Sequence, residues 1–320
     1  MKLVPLDPHA YAREVLPLTA ELWAGKRDLE RYVAQTLEIA QSGFGRRHFR
    51  TVGLSDGSRL LSSFKRYDRS IHMGGHRLRA LGIGAVYTPP ELRGRGYASA
   101  MIAMALDNAK TAGYDLAYLF SDIRPEFYEE IGFTRLPSRA ISVRADSLSN
   151  ERIEVRRLEE TDWTSVRRCF ELGDRGRPWA FIRTPLVWDL IRLRMRQGSE
   201  HATGVETNLV VRRGRAVAAY VLGVRAPEHD AYILDEFGFA DAQAAAQLVG
   251  PLLRSAAGDL RRVAGWLPPA FARDLLPRAS VRRRNDAIFM AAPLTPLGTS
   301  WLKLAAAQST GDGVWNTDHI

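Results

Sequence analysis

One cysteine, Cys169, stands in 320 residues, which excludes an internal disulfide and any thiolate-rich metal site. Lysine is nearly as scarce. Of the 45 basic residues only five are lysine (Lys2, Lys26, Lys65, Lys110, Lys303) and forty are arginine. The seven histidines are scattered without metal-ligand spacing, so no metal is expected. No uncharged run is long enough for a membrane span: the longest, 287–302, is interrupted by Pro293, Pro296 and Gly298. Residues 1–8 break their apolar run too early for a signal peptide. A cytoplasmic location without membrane attachment follows as the expectation. With 46% hydrophobic and 25% charged residues, the chain is an ordinary globular one of about two domains, not a disordered or fibrous one.

The net charge of +9 invites a nucleic-acid reading. The arginines argue against it: they are dispersed, and the densest run, Arg282-Arg283-Arg284, sits at the edge of an apolar segment. A nucleic-acid protein more often shows a basic helix or basic residues interleaved with aromatics. A positive field that attracts a small polyanion is the simpler consequence.

Hydrophobic periodicity divides the chain into two similar halves. The first reads as a strand at 3–6, helices at 10–23 and 29–40, and extended segments at 48–54, 59–72 and 76–88, with hairpin signals at Asp56-Gly57 and Gly74-Gly75. A glycine-punctuated loop over 89–96, a helix at 98–112, a strand at 114–120, a short helix at 126–131 and an extended segment from Phe133 complete it. The second half reads as a strand at 152–158, helices at 163–172 and 185–197, and strands at 208–212, 216–224 and 231–237. A helix at 242–257, a strand at 261–267, a helix at 270–276 and a last strand at 287–292 follow. The boundaries drawn are 1–147 and 151–306, with a tail over 307–320. Each half is an α+β unit with a mixed, mostly antiparallel sheet flanked by helices.

The chemistry concentrates at Val86-Tyr87-Thr88-Pro89-Pro90-Glu91-Leu92-Arg93-Gly94-Arg95-Gly96-Tyr97-Ala98-Ser99. A strand ends at Thr88, prolines stop it, and a long helix opens after Gly96. Glycines at 94 and 96 let backbone N–H groups turn inward without a Cβ in the way. Together with the free N–H groups and positive end of the helix, they form a pyrophosphate cradle. The loop lacks the Gly-Lys-Ser/Thr of a nucleoside-triphosphate P-loop, and it is not Gly-x-Gly-x-x-Gly.

Here the sequence resembles the GNAT superfamily of acyl-CoA-dependent N-acyltransferases, whose signature Arg/Gln-x-x-Gly-x-Gly/Ala is met by Arg93, Gly96 and Ala98. The later Tyr128-Glu129-Glu130-Ile131-Gly132-Phe133 looks like that family's Tyr-x-x-x-Gly-Phe element. The arrangement as two copies resembles the two-fold core of the Eis (enhanced intracellular survival) acetyltransferases, with no room for their third, sterol-carrier-like domain. The second copy is degenerate: the stretch matching the loop is Asp235-Glu236-Phe237-Gly238-Phe239-Ala240-Asp241, and carboxylates repel phosphate. One acyl-CoA per chain is expected.

The resemblance implies an N-acetyltransferase that moves the acetyl group of acetyl-CoA to a primary amine of a small molecule or peptide. Val86, Tyr87, Thr88 and the loop from Arg93 through Gly94, Arg95, Gly96, Tyr97 and Ala98 to Ser99 would hold the cofactor. Ser121 replaces the family's usual asparagine seven residues before the tyrosine. Tyr128 would be the general acid. For the base, the resemblance offers the carboxylate of Ile320, because in the Eis type a terminal carboxylate reaches the active site beside the tyrosine; Asp122, Glu126 or water stay open. Glu21 and Trp23, near Lys26, are candidates for the acceptor amine, as is Asp122. The alternative is a catalytically silent acyl-CoA-binding sensor. No nucleic-acid or membrane partner is expected; monomer and homo-oligomer both remain open.

Overall fold

The computed structural model describes residues 1–25, 27–199, 205–269, 273–309 and 311–320. The first half runs β1 (Lys2–Leu6), α1 (Pro8–Glu14), α2 (Leu16–Trp23), α3 (Leu29–Gln41), α4 (Gly43–His48), β2 (Phe49–Ser55), β3 (Leu60–Met73) and β4 (His76–Tyr87). It continues through α5 (Tyr97–Thr111), β5 (Leu116–Ser121), α6 (Pro125–Glu130), β6 (Thr134–Arg135) and β7 (Arg139–Arg144). The second half runs β8 (Arg156–Arg157), α7 (Trp163–Asp174), β9 (Trp179–Phe181), α8 (Pro185–Ser199), β10 (Val205–Glu206), β11 (Leu209–Arg213) and β12 (Ala216–Ala226). It ends with β13 (Ala231–Phe239), α9 (Ala242–Ala257), β14 (Arg262–Trp266), β15 (Ser280–Arg283), β16 (Ile288–Pro293) and α10 (Pro296–Ala306).

The strands form two eight-stranded sheets. One has the order β1-β2-β3-β4-β5-β16-β6, with β9 paired to β3; the other has β15-β7-β14-β13-β12-β11-β8, with β10 paired to β12. Both are antiparallel except at one step each, β4–β5 and β13–β14, and helices flank both. The α+β plan of two tandem units is therefore the one expected. The sheets nevertheless exchange strands. β7 leaves the first half to pair with β14 and β15, and β16 returns from the second half to pair with β5 and β6.

Local departures from the expected elements have local causes. The single helix expected at 10–23 breaks at Val15 because Pro17, in the first turn of α2, has no N–H to continue the ladder. The strand expected at 152–158 pairs only at Arg156 and Arg157. The helix expected at 270–276 falls partly on residues 270–272, outside the described residues, and 273–276 form turns. The short β9 carries no periodic signal, whereas α10, which starts inside the uncharged C-terminal stretch, has one at Leu297, Trp301, Leu304 and Ala305 that the sequence reading passed over. Among the described residues no helix is long and apolar enough to cross a membrane, and no group of three His, Cys, Asp or Glu could hold a metal.

Separate apolar clusters lie on the two faces of the first sheet. Leu81, Ile83 and Leu119 pack toward α5 with Met101, Ile102 and Phe133. Ala80, Tyr118 and Phe289 face the other way, onto Trp179, Phe181 and Trp301. The tail, residues 311–320, lies on that second side, against both halves.

Candidate active site

The site starts where two parallel strands part. β4 and β5 pair from Ala80↔Leu116 to Ile83↔Leu119, but β4 continues to Tyr87 and β5 to Ser121. A bulge drives the separation: between the pairs Lys65↔Gly84 and Ser63↔Tyr87, β3 has one residue and β4 has two. Ala85, at the bulge, sits at φ 47°, a left-handed conformation that is costly for a non-glycine residue. Bulges of this kind end pairing and expose backbone groups.

Above the gap lies the predicted loop. Gly94 and Gly96 have φ of 73° and 76°, and Gly96 is the N-cap of α5 with no side-chain cap. A Cβ at either would meet no atom within 4 Å, so the glycines are demanded by backbone conformation and leave open space beside the amides. No acidic residue occupies the first turn of α5, and residues 93–96 are exposed. Arg93 Nε donates to the Thr88 carbonyl at 3.1 Å and closes the loop. Val86 packs partly against the α5-side cluster. Tyr87 instead turns its ring into the core beneath α1 and α3, and its carbonyl accepts from Ser62 Oγ at 2.8 Å. Ser121 is buried, its hydroxyl donating to the Ile123 carbonyl at 3.0 Å.

In the second sheet the equivalent helix end is closed. Asp241 is the N-cap of α9, accepting from the Ala244 N–H at 2.6 Å and pairing with Arg213 at 3.1 Å. A carboxylate of the chain already fills the position that a phosphate would need.

On the side away from α5, a cleft of about 480 Å³ lies between the halves. Its lining includes Trp23, Tyr32, Lys65, Tyr67, Asp122, Arg194 and Asp235, together with Ile320. The tail reaches it through a chain of charge pairs. The buried Asp312 pairs with Arg139 at 2.8 Å, and the Gly313 carbonyl accepts from Arg177 at 2.6 Å. Asp318 pairs with Arg183 at 3.1 Å and Arg69 at 3.4 Å, all of them buried. Arg183 also meets the buried Glu236 at 2.7 Å. Arg194 donates to the His319 carbonyl. Gly82 makes the seat for the last residue: a Cβ there would come within 2.7 Å of Ile320 Cδ1 and 2.9 Å of the Tyr118 ring. The Ile320 carbonyl oxygen lies 3.8 Å from where a Cβ of Gly84 would stand.

The sequence-predicted residues therefore separate by face. Tyr128 packs against Phe127 and Phe133 on the α5 side, at ring separations of 5.0 and 6.0 Å. Ile320 packs with the cluster on the opposite face, while Asp122, which lines the cleft with Ile320, also acts on the Tyr128 phenol. Burial, with a smaller push from the Asp122 charge, raises the Tyr128 phenol to about 12, so it keeps its proton at neutral pH. Asp122 lines the cleft, but its Oδ1 accepts from the Ala287 N–H at 3.0 Å. Glu126 is exposed and tied to Arg135 at 2.6 Å, outside the cleft. Trp23 lines the cleft; Glu21 is exposed on α2 and does not. Lys26 lies outside the described residues. Sequence reasoning missed Arg27, Tyr32, Lys65 and Arg194. One signal was available: Lys65, a rare lysine, follows the apolar Leu60-Leu61-Ser62-Ser63-Phe64 inside a strand.

Residues 11–136 match the family described as Acetyltransferase (GNAT) domain. No curated protein matches the chain. Among solved structures, a probable N-acyltransferase from Enterococcus faecalis, itself of unknown function, is similar at 17% identity and TM-score 0.71, over 92% of this chain and 72% of that one. Eis1 from Mycobacterium abscessus is similar at 13% identity and TM-score 0.61, over 92% and 73%. A tandem GNAT protein from the clavulanic acid biosynthesis pathway is similar at 14% identity and TM-score 0.52, over 92% and 99%. Residues 11–136 thus match a GNAT acetyltransferase domain, and the chain as a whole shares the fold of these solved structures.

Proposed function

We propose that the chain is an N-acetyltransferase that transfers the acetyl group of acetyl-CoA to a primary amine of a small molecule or peptide. The observation that carries this reading is the gap between β4 and β5 lying beneath an uncapped, glycine-turned helix end. The β5-facing edge of β4 at 84–87, unpaired beyond Ile83, would hold the pantetheine as an added strand, and the amides of 93–99 would take the pyrophosphate. The thioester would then sit in the gap, reachable from both faces.

The free amine nitrogen attacks the thioester carbonyl from the cleft side; a C–N bond forms and the C–S bond breaks. The ammonium proton goes to the Ile320 carboxylate, directly or through water. On the other side the Tyr128 phenol faces the departing sulfur. Full proton transfer from a phenol near 12 to a thiolate whose acid has pKa about 8.5 is uphill. Tyr128 therefore acts by donating a hydrogen bond to the developing thiolate, which takes its last proton from solvent. Of the open candidates for the base, the Ile320 end is favoured because Asp122 is occupied by the Ala287 N–H and Glu126 by Arg135.

Thiol release from acetyl-CoA across a panel of primary amines tests the reading. Turnover with at least one amine is expected. Tight acetyl-CoA binding without thiol release beyond hydrolysis would replace the enzyme with a sensor.

A further inference from the structure

Resting on the acyl-transfer reading, the cleft also shows what its acceptor must carry. Lys65 stands in β3 directly opposite Gly84 of β4, and paired residues of antiparallel strands share a face. Its stem therefore starts on the side that holds Ile320, and its ammonium ends 5.8 Å from the centre of the Tyr32 ring on α3. The Arg27 guanidinium lies over the same ring at 5.1 Å. Arg194, from α8, lies over Tyr67 at 5.8 Å. All three border the cleft.

Among the described residues none of the three meets a carboxylate. Arg27 donates to the Trp23 and Ala24 carbonyls and to Gln35 Oε1. Arg194 donates to the His319 carbonyl. Lys65 has no hydrogen-bond or ion-pair partner among them. Of the carboxylates that line the cleft among the described residues, Asp122 is committed to the Ala287 N–H and Asp235 to the Asn316 amide, and that of Ile320 is the group read above as the base. Two cations over one aromatic ring in a half-closed cleft repel each other, and cation–π attraction offsets only part of that.

We propose that this corner seats an anionic group, a carboxylate or a phosphate, carried by the acceptor amine itself. The acceptors are then amino-acid-like or phosphorylated amines rather than polycations. The anion bridges Lys65 and Arg27, with Arg194 beside it, while the amine points along the same face toward Gly84 and the β4–β5 gap. Burial, with the charges of Arg194 and Arg27, holds Lys65 down at about 8; a bound anion would raise it.

Matched amines that differ in the anion alone test this directly: O-phosphoethanolamine against ethanolamine, and glycine and β-alanine against their amides, with spermidine and kanamycin as polycations. Binding to the CoA-saturated protein is measured by calorimetry, so the result does not depend on turnover. At least one anionic amine should bind tenfold or more tightly than its neutral twin. Lys65→Met, which keeps the stem and removes the charge, should abolish that preference while acetyl-CoA affinity stays within twofold; Arg27→Gln, measured alongside, should do the same. Phosphate-only or carboxylate-only preference identifies which anion the corner takes. Equal binding of the twins, tighter binding of the polycations, no binding of any anionic amine, or an unaltered preference in both variants would overturn the proposal. Thiol release is read separately. Anionic amines that bind while no amine of any class is acetylated would leave the anion seat standing and remove the acyl-transfer reading.

Discussion

Tyr128 and Lys65 are moved in opposite directions by one cause. Burial disfavours the charged form of each, pushing the phenol up to about 12 and the ammonium down to about 8. For Tyr128 this means a proton held across the working range. Tyr128→Phe should leave acetyl-CoA affinity nearly intact and lower kcat by about 10²–10³, the usual cost of losing a hydrogen-bond donor to a developing anion; unchanged kcat in steady-state assays would return Tyr128 to a packing role. For Lys65 the sign is fixed by its charge: affinity for an anionic amine should be full below pH 8 and fall as pH rises through that value, which calorimetry from pH 6.5 to 9.5 would show. The loop glycines and Tyr128 were legible in the sequence because they form a dense local motif. The basic corner was not. Its three cations are 38 or more residues apart and meet only through the β3–β4 register and the packing of α8.

The tail is the element whose geometry matters most. The resemblance singled out the Ile320 carboxylate in the sequence, but not the partners that order the segment leading to it. The dispersed arginines, read in the sequence only as a positive field, include Arg69, Arg139, Arg177 and Arg183, all engaged with the tail. Removing one partner of such a buried pair commonly costs about 3–5 kcal/mol, which is why the segment is held. Gly313 is its tightest point: a Cβ would lie 1.9 Å from the Trp179 ring. Gly313→Ala should destabilise by about 1–3 kcal/mol through overpacking and loosen the tail, measurable as a lowered Tm. Adding one glycine after Ile320 shifts the carboxylate by about 3.5 Å without touching a packed side chain. It should cut turnover at least tenfold at unchanged Tm and acetyl-CoA affinity, and full activity would return the base to Asp122 or water. Acid should also act here. Docked His319 is held near 3 by burial, with Arg194 and Arg284 adding to it, against 6.5 when free. The released tail binds more protons between those values, so stability falls as pH drops below about 6.5. In thermal scans His319→Phe should lose less Tm from pH 7 to pH 5 than the wild type does.

At the scale of the whole molecule, the alternation of strands and helices was readable because each element repeats an apolar face. Which sheet a strand joins was not. β16 looks like the last strand of the second copy, and only its antiparallel pairing with β5 places it in the first sheet. β7 makes the opposite crossing. The exchange ties the two halves together, and the cleft between them is lined by both. The copies remain unequal where chemistry is concerned, because α5 begins uncapped at Gly96 while α9 begins on Asp241. Titrating the protein with acetyl-CoA in a calorimeter, alongside Gly96→Glu, tests that asymmetry and the cofactor assignment in one measurement. A single site per chain, abolished in the variant by a side chain and a negative charge against the pyrophosphate, is the predicted result. Two equivalent sites, no binding, or a variant that binds as the wild type does would contradict the account.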